Sequence, residues 1–447
     1  MYNGILHKFS KQGANKLAED DPFLYSLLTK EYVRQNHTLA MVAASSAADP
    51  SVISCEGTVL SNVTAEGYPG KRYHAGCDVA DEIENLAIAR AKKAFKAQYA
   101  NVQPHSGSSA NEILLFSLLN PGDRILGLDL NAGGHLTHGS NASVTGKYFE
   151  VESYGLDNNG YIDYDDVAQK ADTFKPKIII CGASAYSRTV DFKKFRKIAD
   201  KVNSLLLADI SHIAGLVVAG LHVSPIDYAH FTTTSTYKQL YGPRGGLILI
   251  GKDYNSLAPD GKHTLEEVVQ RAVFPSFQGT PMLNNIAAKA RALDIVTTPA
   301  FNNLAIRIIE IAKIIADEFI KLGYRVITGG TDNHIVLIDI YEKGITGVIA
   351  EKAMEECKII INKNRIHGDT KSALVTSGIR IGSNSLALRG ISDDKIKYCV
   401  KLVDEIIQGI EVINDCAYLL DTKLRERISQ QVEDLCISYP IPGYCGI

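Results

Sequence analysis

The chain has no excess of charge of either sign. Its 47 Lys and Arg stand against 50 Asp and Glu, a net charge of −3 over 447 residues. That excludes the basic footprint of a nucleic-acid binder. No apolar run is long enough to span a bilayer, and the start has neither the basic nor the apolar segment of a secretory leader. No low-complexity tract or internal repeat is present. The eight cysteines (Cys55, Cys77, Cys181, Cys357, Cys399, Cys416, Cys436 and Cys445) form no CxxC pair and no zinc spacing. They read as reduced thiols of a cytoplasmic protein, not as a disulfide framework. What remains is ordinary globular material, 45% hydrophobic and 22% charged. The length suffices for about two to three domains.

One stretch organises the rest, Thr232-Thr-Thr-Ser-Thr-Tyr-Lys-Gln-Leu-Tyr-Gly-Pro-Arg-Gly-Gly246. Lys238 lies between a Ser/Thr run and a Gly-Pro-Arg-Gly-Gly turn, and a buried strand follows at 246–251. Desolvation lowers the pKa of such a lysine, and a neutral amine can condense with an aldehyde. A loop that binds phosphate or carboxylate is the alternative. Upstream, the apolar strand Leu205-Leu-Leu-Ala-Asp209 ends on an acid, with His212 on the following turn. An acid at a strand's carboxyl end lies where α/β sheets bind ligands. Against a pyridine nitrogen it would keep pyridoxal phosphate protonated and able to accept electrons. Helix N-capping is the other reading of Asp209. Asp209 together with Ser235 and Lys238 favours the cofactor.

Elsewhere, residues 1–37 are helical in pattern and form an N-terminal arm, packed on a partner subunit or on the chain's own surface. The segment 65–77 holds three glycines and a proline and reads as an irregular loop. Residues 78–98 read as a core-facing helix. Ser106, Gly107 and Ser108 precede an apolar helix at 112–119; they are either a simple cap or an anion site at a helix N-terminus. Residues 123–131 and 177–186 read as strands. His135 follows two glycines past the first, and Ser184 lies past the second. Strand–helix alternation from about 100 to 250 predicts an α/β domain with a large parallel or mixed sheet and ligands at the strand ends. A smaller α+β unit follows, with a helix at 306–322, strands at 324–328 and 334–339, and two long helices over 392–430. Within it Arg380 sits in a short apolar strand, where it needs either an internal carboxylate or a bound one. The expected units are an arm (1–37), a large domain (38–292) and a small domain (293–447).

Together these motifs resemble serine hydroxymethyltransferase, a family of fold-type I pyridoxal-phosphate enzymes. The most specific pieces are Glu-Gly-Tyr-Pro-Gly-Lys-Arg-Tyr (66–73), Tyr-Ala-Asn-Val-Gln-Pro-His-Ser-Gly-Ser (99–108), Gly-Gly-His-Leu-Thr-His-Gly (133–139), Gly-Pro-Arg-Gly-Gly (242–246), Gly-Gly-Thr-Asp-Asn-His (329–334) and Thr-Ser-Gly-Ile-Arg (376–380). The resemblance implies that Lys238 bonds the cofactor aldehyde, Asp209 pairs with the pyridinium and His135 stacks on the ring. Ser106, Gly107 and Ser108 bind phosphate, with Thr64, Gly279 and Thr280 at positions that reach it. Ser184 and His212 contact the cofactor's phenolic oxygen and its surroundings. Arg380 clamps the substrate carboxylate, with Ser45, His74, Tyr237 and Arg244 around the amino acid and Arg244 ordering the lysine loop. Glu66 transfers protons, supplied by the neighbouring subunit of a homodimer, or of a tetramer. Tyr73, Leu130, Leu136 and Asn364 line a tetrahydrofolate site. The implied reaction is hydroxymethyl transfer between serine and glycine.

Several positions depart from the family pattern. The usual Ala-Ser-Glu-Asn is Ala43-Ala-Ser-Ser46, which puts Ala44 where a serine normally contacts the carboxylate. Two tyrosines are Thr64 and His74, and the histidine before the lysine is Tyr237. Gly-Gly-Gln-Gly-Gly becomes Ser276-Phe-Gln-Gly-Thr280, and a Pro-Phe pair becomes Ala373-Leu374. The changes cluster around the amino-acid and phosphate pockets. Lost bulk at Ala44 and Thr64 would admit an α-methylserine/alanine pair. A folate-independent aldolase or transaldolase on a β-hydroxy amino acid such as threonine is the alternative activity.

Overall fold

The computed structural model describes residues 4–444. Its largest sheet has seven strands in the order Tyr99–Asn101, Gly246–Ile250, Phe231–Ser235, Leu205–Asp209, Ile178–Cys181, Arg124–Leu128, Glu150–Tyr154. Neighbours are parallel except around Gly246–Ile250, which runs against both of its neighbours. The sheet is mixed, as the expected parallel or mixed sheet allows, and the cause is one short connection. Residues 236–245 alone join Phe231–Ser235 to Gly246–Ile250. A parallel crossover takes roughly a dozen residues or more, so the chain must reverse. Lys238 sits on that reversal.

Side chains alternate across the sheet. Ile178, Ile180, Leu207, Phe231, Ile248 and Ile250 enter one core; Ile179, Cys181, Leu206, Ala208, Leu247 and Leu249 enter the other. With both faces apolar, the strands read as unbroken hydrophobic runs. Helices Gly107–Leu118 and Leu265–Arg271 cover the first core. Asp78–Phe95, Phe192–Lys201 and Leu283–Ile295 cover the second.

A second sheet is fully antiparallel, in the order Arg325–Val326, Ile335–Asp339, Gly378–Gly382, Asn362–Asn364. Helix Pro299–Lys321 packs on it and on Asp393–Gln408. The sheet is tied to the large one near the strand ends. Asn333 donates to the Tyr186 carbonyl at 3.0 Å, and Tyr241 of the lysine turn donates to the Asn384 carbonyl at 3.0 Å.

Several local expectations change. The C-terminal stretch holds its two helices, Asp393–Gln408 and Thr422–Ser438, but a β-hairpin of Ile410–Asn414 and Ala417–Leu420 separates them. Ile410, Val412 and Ile413 are β-branched, and Asn414-Asp415 supplies turn chemistry. Within the supposedly irregular loop, Gly67–Tyr68 pairs with Lys71–Arg72. Pro69 followed by Gly70 at φ 73° fits a type II turn. The strand expected at 324–328 is only Arg325–Val326, followed by a turn of 3₁₀ helix.

The division expected at 292/293 falls inside helix Leu283–Ile295, which packs on Asp78–Phe95; the next break is 296–298. Leu39–Ala40, expected with the large unit, pairs with Ile359–Ile360. Helix Pro22–His37 rests on Thr422–Ser438, with His37 Nδ1 2.7 Å from Glu433. Helix Ile5–Asp20 has no buried residue. Seven cysteines are free among the described residues, and Cys445 lies outside them. No helix among the described residues is long and apolar enough to cross a membrane.

Candidate active site

The carboxyl ends of four neighbouring strands converge, and the turn after each carries a polar group. Leu205–Asp209 ends on Asp209, which is buried. Its Oδ2 accepts from Asn111 Nδ2 at 2.8 Å and lies 3.2 Å from His138 Nε2; its Oδ1 accepts the Ser211 N–H at 3.0 Å. The next helix, Ala214–Val218, is capped at Ile213, so Asp209 is no N-cap. Burial pushes the Asp209 carboxyl up. The His138 hydrogen bond and the nearby His138 and His135 charges outweigh it, and the group is held well below the usual carboxylate range.

Lys238 is buried on the reversal described above. Burial lowers its pKa from 10.5 to about 8; the Asp209 charge opposes this, and Arg380 and Arg244 reinforce it. The turn is fixed by its own bonds. Thr236 Oγ1 donates to the Pro243 carbonyl at 2.7 Å, and the Gly242 N–H donates to the Thr236 carbonyl at 2.9 Å.

His135 hangs off the turn after Arg124–Leu128, its Nδ1 2.8 Å from Thr137 Oγ1. Burial lowers its pKa to about 4. His212 is buried and stacks on His334, with centroids 5.8 Å apart and planes 17° apart. Its Nδ1 has no partner, and burial with the Lys238 and Arg380 charges keeps the ring neutral. Arg380 bonds Asn362 Oδ1 across the strand register at 3.1 Å and donates to the Ser184 carbonyl. No carboxylate pairs with it among the described residues, so the internal ion pair is absent. Desolvation brings its pKa down to about 10.

Ser106 caps helix Gly107–Leu118, accepting the Ser109 N–H at 3.0 Å. A Cβ on Gly107 would lie 3.2 Å from Ser211 Oγ and from Ser235, so helix end and strand end are in close contact. Ser235 Oγ is buried there without a partner among the described residues. A helix N-terminus with an orphaned hydroxyl beside it fits a phosphate. A buried anionic Asp209 fits a pyridine nitrogen, and a desolvated Lys238 fits an aldehyde. The donor set therefore suits pyridoxal phosphate.

The serine hydroxymethyltransferase family model matches residues 17–403. A serine hydroxymethyltransferase of Borrelia duttonii (strain Ly) is 49% identical over 381 residues, spanning 84% of this chain and 91% of that protein. The chain belongs to the serine hydroxymethyltransferase family.

For this family member, the residues predicted from sequence fall into three groups. Lys238, Asp209, His135, His212, Ser184, Arg380 and Ser106 to Ser108 lie around the strand ends just described. Leu130, Leu136 and Asn364 join His135, Ser184 and Ala373 in lining a cavity of about 270 Å³. Ser45, Tyr237 and Arg244 line a larger one, about 540 Å³, with Ala44. There the Arg244 guanidinium lies 3.8 Å from the Tyr237 ring centroid, and Ser46 donates to the Tyr237 carbonyl.

The third group lies on the loop around 64–77 and the segment 276–280, where Gln278 accepts the His105 N–H at 3.2 Å one residue before Ser106. Glu66 lies 3.2 Å from His74 Nε2, and a Cβ on Gly279, next to Thr280, would be 3.4 Å from its carboxylate. Thr64 is exposed. Tyr73 packs on Phe274 at 5.5 Å, away from Leu130, Leu136 and Asn364. Among the described residues, none of this group hydrogen-bonds Lys238.

Sequence reasoning missed Asn111, His138, Ser211 and Thr233. Thr233 Oγ1 donates to Asn111 Oδ1 at 2.6 Å, and Asn111 aims its amide at Asp209. Thr233 and His138 stood within quoted motifs, but nothing in the sequence showed which side chain faces the acid.

Proposed function

We infer that this chain is a pyridoxal-phosphate-dependent hydroxymethyltransferase that interconverts L-serine and glycine, with tetrahydrofolate as one-carbon acceptor. The observation that carries it is a desolvated Lys238 beside a buried, anionic Asp209 in a chain of this family. When bound, pyridoxal phosphate supplies the electron sink for breaking the bond between the amino acid's α and β carbons. Asp209 holds a negative charge where the pyridine nitrogen would lie and keeps it protonated. Lys238, with its pKa near 8, offers a neutral amine at mildly alkaline pH. Ser106, Gly107, Ser108 and Ser235 would hold the phosphate, and His135 would lie against the ring. Neutral His212 and Ser184 would border the phenolic oxygen. Arg380, free of any carboxylate, takes that of the amino acid.

Glu66, His74, Tyr73, Thr64, Gly279 and Thr280 complete the site of a neighbouring copy in a homodimer. The half-exposed Glu66 and His74 side chains, with no hydrogen bond to Lys238 among the described residues, support this. Glu66 moves the proton on the substrate's hydroxymethyl oxygen, with His74 beside it. Leu130, Leu136 and Asn364 border the folate, facing the partner's Tyr73. Within each chain we place the division between large and small units at 296–298. The cytoplasm, where reduced thiols persist, is the proposed compartment.

The comparisons do not favour a folate-independent aldolase. The test is product release by mass spectrometry from cofactor-loaded protein, given L-serine or α-methyl-L-serine with and without tetrahydrofolate. Folate-dependent glycine is expected from serine. Equal glycine without folate would overturn the transferase reading. Folate-dependent alanine with serine poor would move the substrate to a quaternary carbon, as the small Ala44 allows.

A further inference from the structure

Lys289 is one of the largest fully buried side chains, and none of the chemistry above uses it. Its Nζ donates to three backbone carbonyls: Val102 at 2.6 Å, Pro104 at 2.9 Å and Gly246 at 3.1 Å. Three acceptors need three N–H bonds, which an ammonium has and a neutral amine lacks. Burial draws its pKa down to about 7, with the Glu84 charge opposing, yet the three carbonyls fit only the charged form. A buried cation held by carbonyls alone is expensive unless its position matters.

The three carbonyls belong to two segments that must meet. Val102 to Pro104 leads directly into Ser106 and Gly107 at the helix N-terminus. Gly246 begins the strand that leaves the Lys238 turn. The Gly246 N–H also donates to the Pro104 carbonyl at 2.9 Å, and a Cβ on Gly246 would be 2.2 Å from the Ser106 carbonyl. Lys289 reaches this junction past Gly245, where a Cβ would lie 2.2 Å from its Cε. Of the paired glycines in Gly-Pro-Arg-Gly-Gly, Gly245 thus makes room for the lysine and Gly246 for the Ser106 carbonyl.

We propose that Lys289 is a positioning residue: its ammonium staples the 102–104 backbone to Gly246 and so sets the phosphate cradle at Ser106–Ser108 in register with the Lys238 turn. The proposal rests on the phosphate reading of Ser106 to Ser108 given above. It predicts discrimination between cofactors with and without a phosphate.

The test is calorimetric binding of pyridoxal phosphate and of pyridoxal to the cofactor-stripped full chain. Lys289→Met is expected to weaken pyridoxal phosphate about tenfold or more and to move pyridoxal by less than about twofold. Gly245→Ala, which displaces the Lys289 stem, is expected to do the same. Lys289→Gln keeps two donors and stands in should Lys289→Met not fold. Ser106→Ala/Ser108→Ala tests the underlying reading separately and is expected to weaken pyridoxal phosphate alone. If that double variant binds both cofactors as wild type does, the phosphate reading fails. If it discriminates but the Lys289 variants weaken both cofactors equally, or neither, the positioning role is overturned.

Discussion

Burying Lys238 on a strand reversal strips water from an amine that is ordinarily charged. Its folded pKa of about 8, against 10.5, means the folded state resists protonation. The sign follows from linkage: the unfolded chain binds more protons between those values, so stability rises with pH there. The penalty is fully present below pH 8 and is gone above 10.5. It amounts to about 3 kcal/mol at 1.36 kcal/mol per pKa unit. Cofactor-stripped Lys238→Met should therefore melt above wild type at pH 7.5, and the gap should close as pH rises to 10.5. A gap independent of pH would mean that Lys238 is not desolvated. Arg380 makes a different prediction. It has two neutral acceptors and no carboxylate of its own. Losing two charge-assisted bonds to a bound carboxylate costs about 3–4 kcal/mol, so Arg380→Ala should raise the serine KM by roughly 10²- to 10³-fold. Steady-state kinetics would show it, and an unchanged KM would remove Arg380 from the substrate site.

At the level of elements, strand ends place the chemistry and tight turns keep it there. Gly182 follows strand Ile178–Cys181 at φ 126°, and a Cβ on it would be 2.0 Å from the Asp209 carbonyl oxygen. Gly182→Ala should destabilise the fold by about 3 kcal/mol or more, adding backbone strain to overpacking. Urea unfolding would measure it; a change under about 1 kcal/mol would show that the two strand ends are free to separate.

This is also where sequence is most and least legible. Asp209, His135 and Ser184 each follow an apolar run, so their place at a strand end could be read directly; Lys238 follows a Ser/Thr run and is placed by the apolar run after it. The mixed sheet could be inferred only from the shortness of 236–245. The partners of Asp209 could not be read, because they come from a helix interior (Asn111) and from turns (His138, Ser211), with Asn111 itself held by a strand residue, Thr233. Which of His135 and His138 faces the acid depends on a turn of 3₁₀ helix at 136–138 that leaves no periodic signal. The hairpin at 410–420 was hidden because its β-branched positions lie between two strongly helical segments.

Across the whole molecule, the groups assigned to one reaction lie on two surfaces. Lys238 and Asp209 are set at strand ends of the large sheet, and Arg380, from the middle of strand Gly378–Gly382, donates to the Ser184 carbonyl there. Glu66 and His74 sit on a half-exposed loop beside Gly279 of the 276–280 segment, with the Glu66 and His74 side chains 38% and 45% accessible. Helices Ile5–Asp20 and Pro22–His37 leave Ile5, Leu6, Phe9, Phe23, Leu27 and Leu28 exposed, and the second of them packs on helix Thr422–Ser438. Both features are explained if two copies pair and each completes the other's site.

Subunit mixing tests this directly. Lys238→Ala and Glu66→Gln would each be nearly inactive in folate-dependent glycine formation. After exchange, confirmed by native mass spectrometry, half of the dimers are hybrids with one intact site out of two, so about a quarter of wild-type activity should return. Activity no higher than that of either parent would place Glu66 and Lys238 in the site of a single chain and overturn the shared-site assignment.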